Sequence, residues 1–142
     1  MIESIKSQLD NTLEKIDLKI SEDHYSGKVR ENFYLDDKIV MITSDRVSAF
    51  DHILGTIPFK GQILNEIACF WFNKTKDIVP NHFISSPDEQ VLITKKAKTL
   101  PVEVIVRQYI TGSLWREYKQ GINGQYGFML PENLKENQEF DK

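Results

Sequence analysis

Apolar residues open the chain at helical spacing. Ile2, Ile5, Leu9, Leu13 and Ile16 stand three or four positions apart, which predicts one stripe on a helix of about four turns. From Tyr25 the period shortens to two. Val29, Phe33 and Leu35 fall on one side of an extended run, and Lys28, Arg30, Asn32 and Tyr34 on the other. A turn-like "DDK" at 36–38 and the strand-like "IVMIT" at 39–43 complete an antiparallel hairpin. "SDRVSAFDHILG" at 44–55 has no clear period and reads mostly as loop. Ile63, Leu64, Ile67, Ala68 and Trp71 restore helical spacing and predict a helix over 61–77. "NHFISSPDE" breaks that helix, and "QVLITKKAK" reads as another strand. "LPVEVIVRQYI" at 100–110 alternates behind Pro101 and predicts a strand. "TGSLWREYKQG" predicts a short helix entered through Gly112 and Ser113, with Gly121 near its end. The last stretch, from Ile122 onward, reads as a polar connector. The order helix, hairpin, helix, strands, helix implies an α+β fold: a mainly antiparallel sheet with flanking helices.

Composition narrows the picture. The 142 residues are 40% hydrophobic and 11% aromatic, enough for a core and unlike a disordered chain. A net charge of −3 supplies no global basic field for nucleic acid, so any anion site has to be local. Cys69 is the single cysteine, which rules out an internal disulfide. It sits in the apolar run "IACFWF", where a buried thiol is the simpler reading and Phe70, Trp71 and Phe72 read as core. "MIESIKSQLD" has neither signal-peptide nor transit-peptide character, and no apolar run reaches membrane-spanning length. A soluble, cytoplasmic protein without nucleic-acid or membrane partners is the expectation.

Three stretches carry candidate chemistry. In "HYSGKVRENF" one glycine precedes Lys28 and Arg30, which a strand would project to one face about 6–7 Å apart, a match for neighbouring phosphate oxygens. A solvated hairpin face is the alternative. In "SDRVSAFD", Asp45, Ser48 and Asp51 recur every three residues beside Arg46. They suit a polar substrate, or equally plain turn and capping chemistry. Arg107 lies in an apolar strand-like run, and the helix opened by Gly112 and Ser113 follows. A guanidinium fork, a hydroxyl and the free N–H groups of a helix start together make a phosphate or carboxylate site. A structural arginine with an N-cap serine is the other reading. His24, His52 and His82 show no metal-ligand spacing.

In combination, "YSGKVREN", "SDRVSAFDHILGTIPFKGQILNEIACFWF" and "LPVEVIVRQYITGSLWREY" resemble the SAICAR synthetase family, from about Tyr25 to the last residue. The resemblance implies a kinase-like or ATP-grasp arrangement of two α+β lobes. Residues 1–100 would be the amino-terminal nucleotide-binding lobe and 101–142 the start of the second. It implies joining L-aspartate to the carboxylate of CAIR, an aminoimidazole ribonucleotide, with ATP and magnesium. By the same resemblance, Gly27, Lys28, Val29 and Arg30 belong to the nucleotide loop. Lys95 would face phosphates, and Leu100, Val102 and Glu103 belong to the segment that reads adenine. Arg107 and Ser113 would hold the ribonucleotide phosphate, with Asp45, Ser48 and Asp51 beside the imidazole and aspartate. No catalytic residue or magnesium ligand is assigned, because no side-chain nucleophile is needed and the family's metal-binding acids lie further along longer chains. The expectation is an amino-terminal portion, ending before a "PIFTPTTK"-type motif. Its exposed apolar surface would invite a homo-oligomer or a complementing C-terminal chain.

Overall fold

Two stretches of the chain fold as separate units, residues 1–98 and residues 99–142. The computed structural model describes residues 2–124 and 127–140. Gln125, Tyr126, Asp141 and Lys142, all within the predicted connector, lie outside the described residues.

The first unit is built on β-branched and aromatic runs that pair as an antiparallel sheet. In chain order these are β1 (His24–Ser26), β2 (Arg30–Tyr34), β3 (Lys38–Thr43), β6 (Phe83–Asp88) and β7 (Val91–Lys95), arranged β1-β2-β3-β7-β6. Registers such as Phe33 opposite Val40, and Val40 opposite Ile93, put these side chains on one face, where Phe33 and Ile42 are buried. Burying a phenylalanine of this kind contributes about 1.5–3 kcal/mol. Leu92 and Thr94 lie buried on the other face. Helix α2 (Lys60–Thr75) packs against β3 and β6, with Phe72 stacked on Phe83 at 5.7 Å. Gly61 lets the helix start meet the sheet end: a Cβ there would lie 2.5 Å from the Thr43 carbonyl oxygen.

The α+β class and the mainly antiparallel sheet agree with expectation; several elements do not. The N-terminal helix is only α1 (Ile2–Lys6), and residues 11–19 have no regular structure. Asp45 is the reason: its carboxylate accepts from the Leu13 N–H at 2.8 Å, and its own N–H donates to the Leu13 carbonyl at 2.8 Å. These bonds replace the helical ones that Leu13 would make. The stretch read as loop forms a hairpin, β4 (Arg46–Ala49) with β5 (His52–Thr56). Its two-residue turn places Phe50 and Asp51 at φ 49° and 66°, geometry usually announced by Asn-Gly and here adopted by a phenylalanine and an aspartate. β6 occupies the stretch read as a helix breaker. Its Pro87 is tolerated because β6 is an edge strand with irregular pairing. Phe70 and Trp71, read as core, are 56% and 57% exposed.

In the second unit the predicted strand at 100–110 is absent. Residues 102–107 have no regular structure, and Val104 and Val106 are 78% and 92% exposed. Alternation makes a strand only where a partner strand supplies hydrogen bonds, and among the described residues only Tyr109 bridges, to Glu139. Helix α3 (Gly112–Lys119) is capped by Thr111 in extended geometry, so Ser113 lies inside the first turn and is not the cap. The stretch read as a connector closes back on the unit. The Ile110 N–H donates to Gln138, the Asn137 N–H donates to Ile110, and Leu130 and Ile110 are buried. Among the described residues no helix is long and apolar enough to cross a membrane.

Candidate functional site

In the second unit, a cavity of about 760 Å³ opens beside the start of α3. Leu114, Phe128, Leu130 and Phe140 give it apolar walls, and Arg107 and Ser113 reach it as polar groups. The walls are braced by backbone bonds. Asn123 bonds both the N–H and the carbonyl of Leu130, and the Tyr118 hydroxyl donates to the Pro131 carbonyl at 2.9 Å.

The Arg107 guanidinium lies against the backbone at the helix start. A Cβ built on Gly112 would stand 3.3 Å from its Nη1 and 3.6 Å from its Nη2. Gly112 has φ +61°, so glycine is suited here both to the turn and to the close approach. Among the described residues Arg107 has no carboxylate partner, and Thr111 places no side-chain cap on the first-turn N–H groups. A guanidinium and a hydroxyl therefore line one hollow beside a helix start without a side-chain cap bond, a chemistry suited to a phosphate or carboxylate. Glu103 also lines this cavity, while Leu100 and Val102 are exposed at 78% and 64%.

In the first unit, the turn between β1 and β2 carries Gly27, Lys28 and Val29, and Arg30 begins β2. The Gly27 N–H donates to the Arg30 carbonyl at 2.7 Å, and a Cβ on Gly27 would crowd that oxygen at 3.1 Å. Lys28 is at the turn, not on the strand face with Arg30. Its ammonium pairs with Asp51 at the tip of the β4–β5 hairpin. That bond raises the lysine pKa and lowers the aspartate pKa. Lys95 is exposed at the end of β7, opposite Lys38.

Asp45, Ser48 and Asp51 occupy different levels of the hairpin. Asp45 is buried, and its Oδ1 accepts from the Gly61 N–H at 2.8 Å while Oδ2 takes Leu13. Ser48 is half-buried within β4, and Asp51 is exposed at the tip.

Sequence reasoning passed over Glu31. It is buried and accepts from Arg46 at 2.8 Å and Ser26 at 3.0 Å, with His24 at 2.9 Å. Burial pushes its carboxyl up, but the bonds from Arg46, Ser26 and His24 outweigh that and hold it below its ordinary value. The signal was present: Glu31 sits at an apolar-side position of the alternating run, a place for a charge only if a partner meets it. Among the described residues no three His, Cys, Asp or Glu side chains cluster to hold a metal.

The profile of the SAICAR synthetase family matches residues 23–142. The chain is 46% identical over 121 residues to a phosphoribosylaminoimidazole-succinocarboxamide synthase of Legionella pneumophila, covering 82% of this chain and 39% of that protein. It is 43% identical over 143 residues to the chloroplastic enzyme of that name from Arabidopsis thaliana, covering 95% of this chain and 35% of that one. The solved SAICAR synthase of Saccharomyces cerevisiae complexed with SAICAR superposes with a TM-score of 0.78 at 33% identity, over 90% of this chain and 51% of that one. A type-2 SAICAR synthetase in complex with ADP superposes at 0.66 and 26% identity, over 84% and 47%. The chain thus spans 35–39% of the length of these two curated relatives.

Proposed function

The chain belongs to the SAICAR synthetase family, and on that premise we propose that it serves the ATP-dependent ligation of L-aspartate to the carboxylate of CAIR. The observation that carries the reading is the Arg107 guanidinium packed on Gly112 at the start of α3, beside Ser113, in a cavity of about 760 Å³. There Arg107 and Ser113 hold the ribonucleotide phosphate as a dianion. Gly27, Lys28, Val29 and Arg30 take the phosphates of ATP, with Lys95 as a further cation. Leu100, Val102 and Glu103 serve the adenine, and Ser48 and Asp51 serve the imidazole and aspartate. Asp45 takes part through the support it gives the hairpin and α2.

The chemistry needs no protein nucleophile. A carboxylate oxygen of CAIR attacks the γ-phosphorus and ADP leaves. The aspartate amine then attacks the acyl carbon, phosphate leaves with the bonding pair, and the amine nitrogen gives up a proton. The side chains orient reactants and neutralise charge. Magnesium belongs to the proposal only as an ion that offsets phosphate charge; the described residues show no cluster fitted to it, and no step here runs through it. The compartment proposed is the cytoplasm; two plant relatives are named chloroplastic.

A second feature favours a division of labour. The chain spans 35–39% of these relatives' length, and the apolar run Val102–Val106 is exposed. The reading is that this chain contributes phosphate and nucleotide contacts, and that turnover requires the counterpart of the remaining length. The test is aspartate-dependent ADP release from ATP and CAIR, by the full chain alone and mixed with the carboxy-terminal portion of a full-length relative. Turnover only in the mixture is expected. Turnover by the chain alone at a full-length relative's rate overturns the division of labour. Failure of the chain to bind CAIR by calorimetry overturns the phosphate assignment.

A further inference from the structure

Arg46 is buried at the start of β4 and bonds three separate parts of the first unit. Its Nε donates to the Ser44 hydroxyl at 2.9 Å, and its Nη2 donates to Glu31 at 2.8 Å and to the Gly27 carbonyl at 3.1 Å. Ser44 continues the pattern. Its N–H and its hydroxyl both donate to the Val29 carbonyl at 3.0 Å. Two carbonyls of this short turn, Gly27 and Val29, are thus drawn onto Arg46 and Ser44, while the Arg30 carbonyl closes the turn on the Gly27 N–H.

The consequence follows from peptide geometry. In a trans peptide the C=O and the following N–H point in opposite directions. Drawing the Gly27 carbonyl onto Arg46 turns the Lys28 N–H away from Arg46. No acceptor meets that N–H among the described residues. The Lys28 ammonium is paired with Asp51, so the outward amide is the group this position offers an anion. We propose that Arg46 is a positioning residue: its fork, held in place by Glu31 and Ser44, fixes the glycine turn with carbonyls inward so that the Lys28 amide faces a nucleotide phosphate. The proposal rests on the nucleotide reading above, and it assigns Arg46 a role through the turn, not contact with the ligand.

The test uses the full chain as wild type, R46Q, R46K and S44A. Amide hydrogen exchange is read by NMR without ligand, and ADP is titrated by calorimetry. R46Q should speed exchange of the Gly27 amide by a clearly larger factor than it speeds exchange of the β3–β7 amides, which report only the global loss of stability. ADP affinity should fall roughly tenfold, the scale of one hydrogen bond from a charged group. R46K keeps the charge beside Glu31 but lacks the fork, so its Gly27 amide should also exchange faster while the sheet is unchanged. S44A should give a smaller change of the same sign, and it serves in place of R46Q if that variant does not fold. Unchanged Gly27 exchange, equal loss of protection across the whole sheet, or a loosened turn with undiminished ADP affinity would each overturn the proposal. If the wild type itself binds no ADP, the nucleotide reading fails, and the exchange data alone decide whether Arg46 holds the turn.

Discussion

Two arginines, one in each unit, show opposite uses of the same side chain. Arg46 is buried, and its Nε and Nη2 donate to Ser44, Gly27 and Glu31 inside the protein. Arg107 is half-buried beside Gly112 and has no carboxylate partner among the described residues. A buried cation without a partner is costly, whereas a cation at the mouth of a solvated hollow is not. The first therefore reads as architecture and the second as a ligand group. In sequence Arg107 stood in an apolar run and Arg46 beside Asp45, Ser48 and Asp51; their partners in the fold separate them.

The sharpest way to break that comparison is to remove each in turn. Arg46→Ala leaves Glu31 buried without its ion pair and should cost about 3–5 kcal/mol in urea unfolding. Arg107→Ala should leave the unfolding midpoint close to wild type and abolish CAIR binding by calorimetry. Equal stability losses from the two changes would erase the distinction. Next in size is Gly61→Ala, whose methyl would meet the Thr43 carbonyl at 2.5 Å. It should cost about 1–3 kcal/mol by the same unfolding measurement, as overpacked sites do.

Gly112→Ala sharpens the comparison from the ligand side. It strains a φ of +61° and presses on the Arg107 guanidinium. The expected cost is about 1–2 kcal/mol in thermal unfolding, together with weaker CAIR binding. A loss of stability with CAIR affinity intact would show that the Arg107 placement is dispensable. The smallest effect concerns acid. Glu31 has a folded-state pKa below its ordinary 4.5, so its contribution to stability is present in full above that value and is lost as pH falls through the lowered folded pKa. Stability should drop between pH 5 and pH 3 less steeply in Glu31→Gln than in wild type, because glutamine has no proton to take up; identical slopes would contradict the assignment.

Legibility followed the range of the forces. Helix α2 and the β2–β3 hairpin were plain in the spacing of Ile63, Ile67 and Trp71 and of Phe33 and Leu35, because each pattern is local in sequence; Ile63, Ile67 and Trp71 are nonetheless exposed. The short α1 was not, since Asp45 captures Leu13 from 32 residues away. The hairpin at 46–56 was missed because Phe50 and Asp51 adopt positive φ without a glycine to announce it. For the candidate site, Arg107 and Ser113 were read from the sequence as an anion site, and both line one cavity. The predicted strand before them failed because no partner strand among the described residues pairs with residues 102–107. Glu31 was hidden by its position within a run read as alternating basic and apolar.

The irregular outer strand also bears on how molecules of this chain meet in a crowded solution. Pro87 brings no amide hydrogen to the rim of β6, and the register slips on both sides of Ser85. A rim so interrupted offers an incoming chain a broken row of donors, which hinders sheet-to-sheet polymerisation from that side.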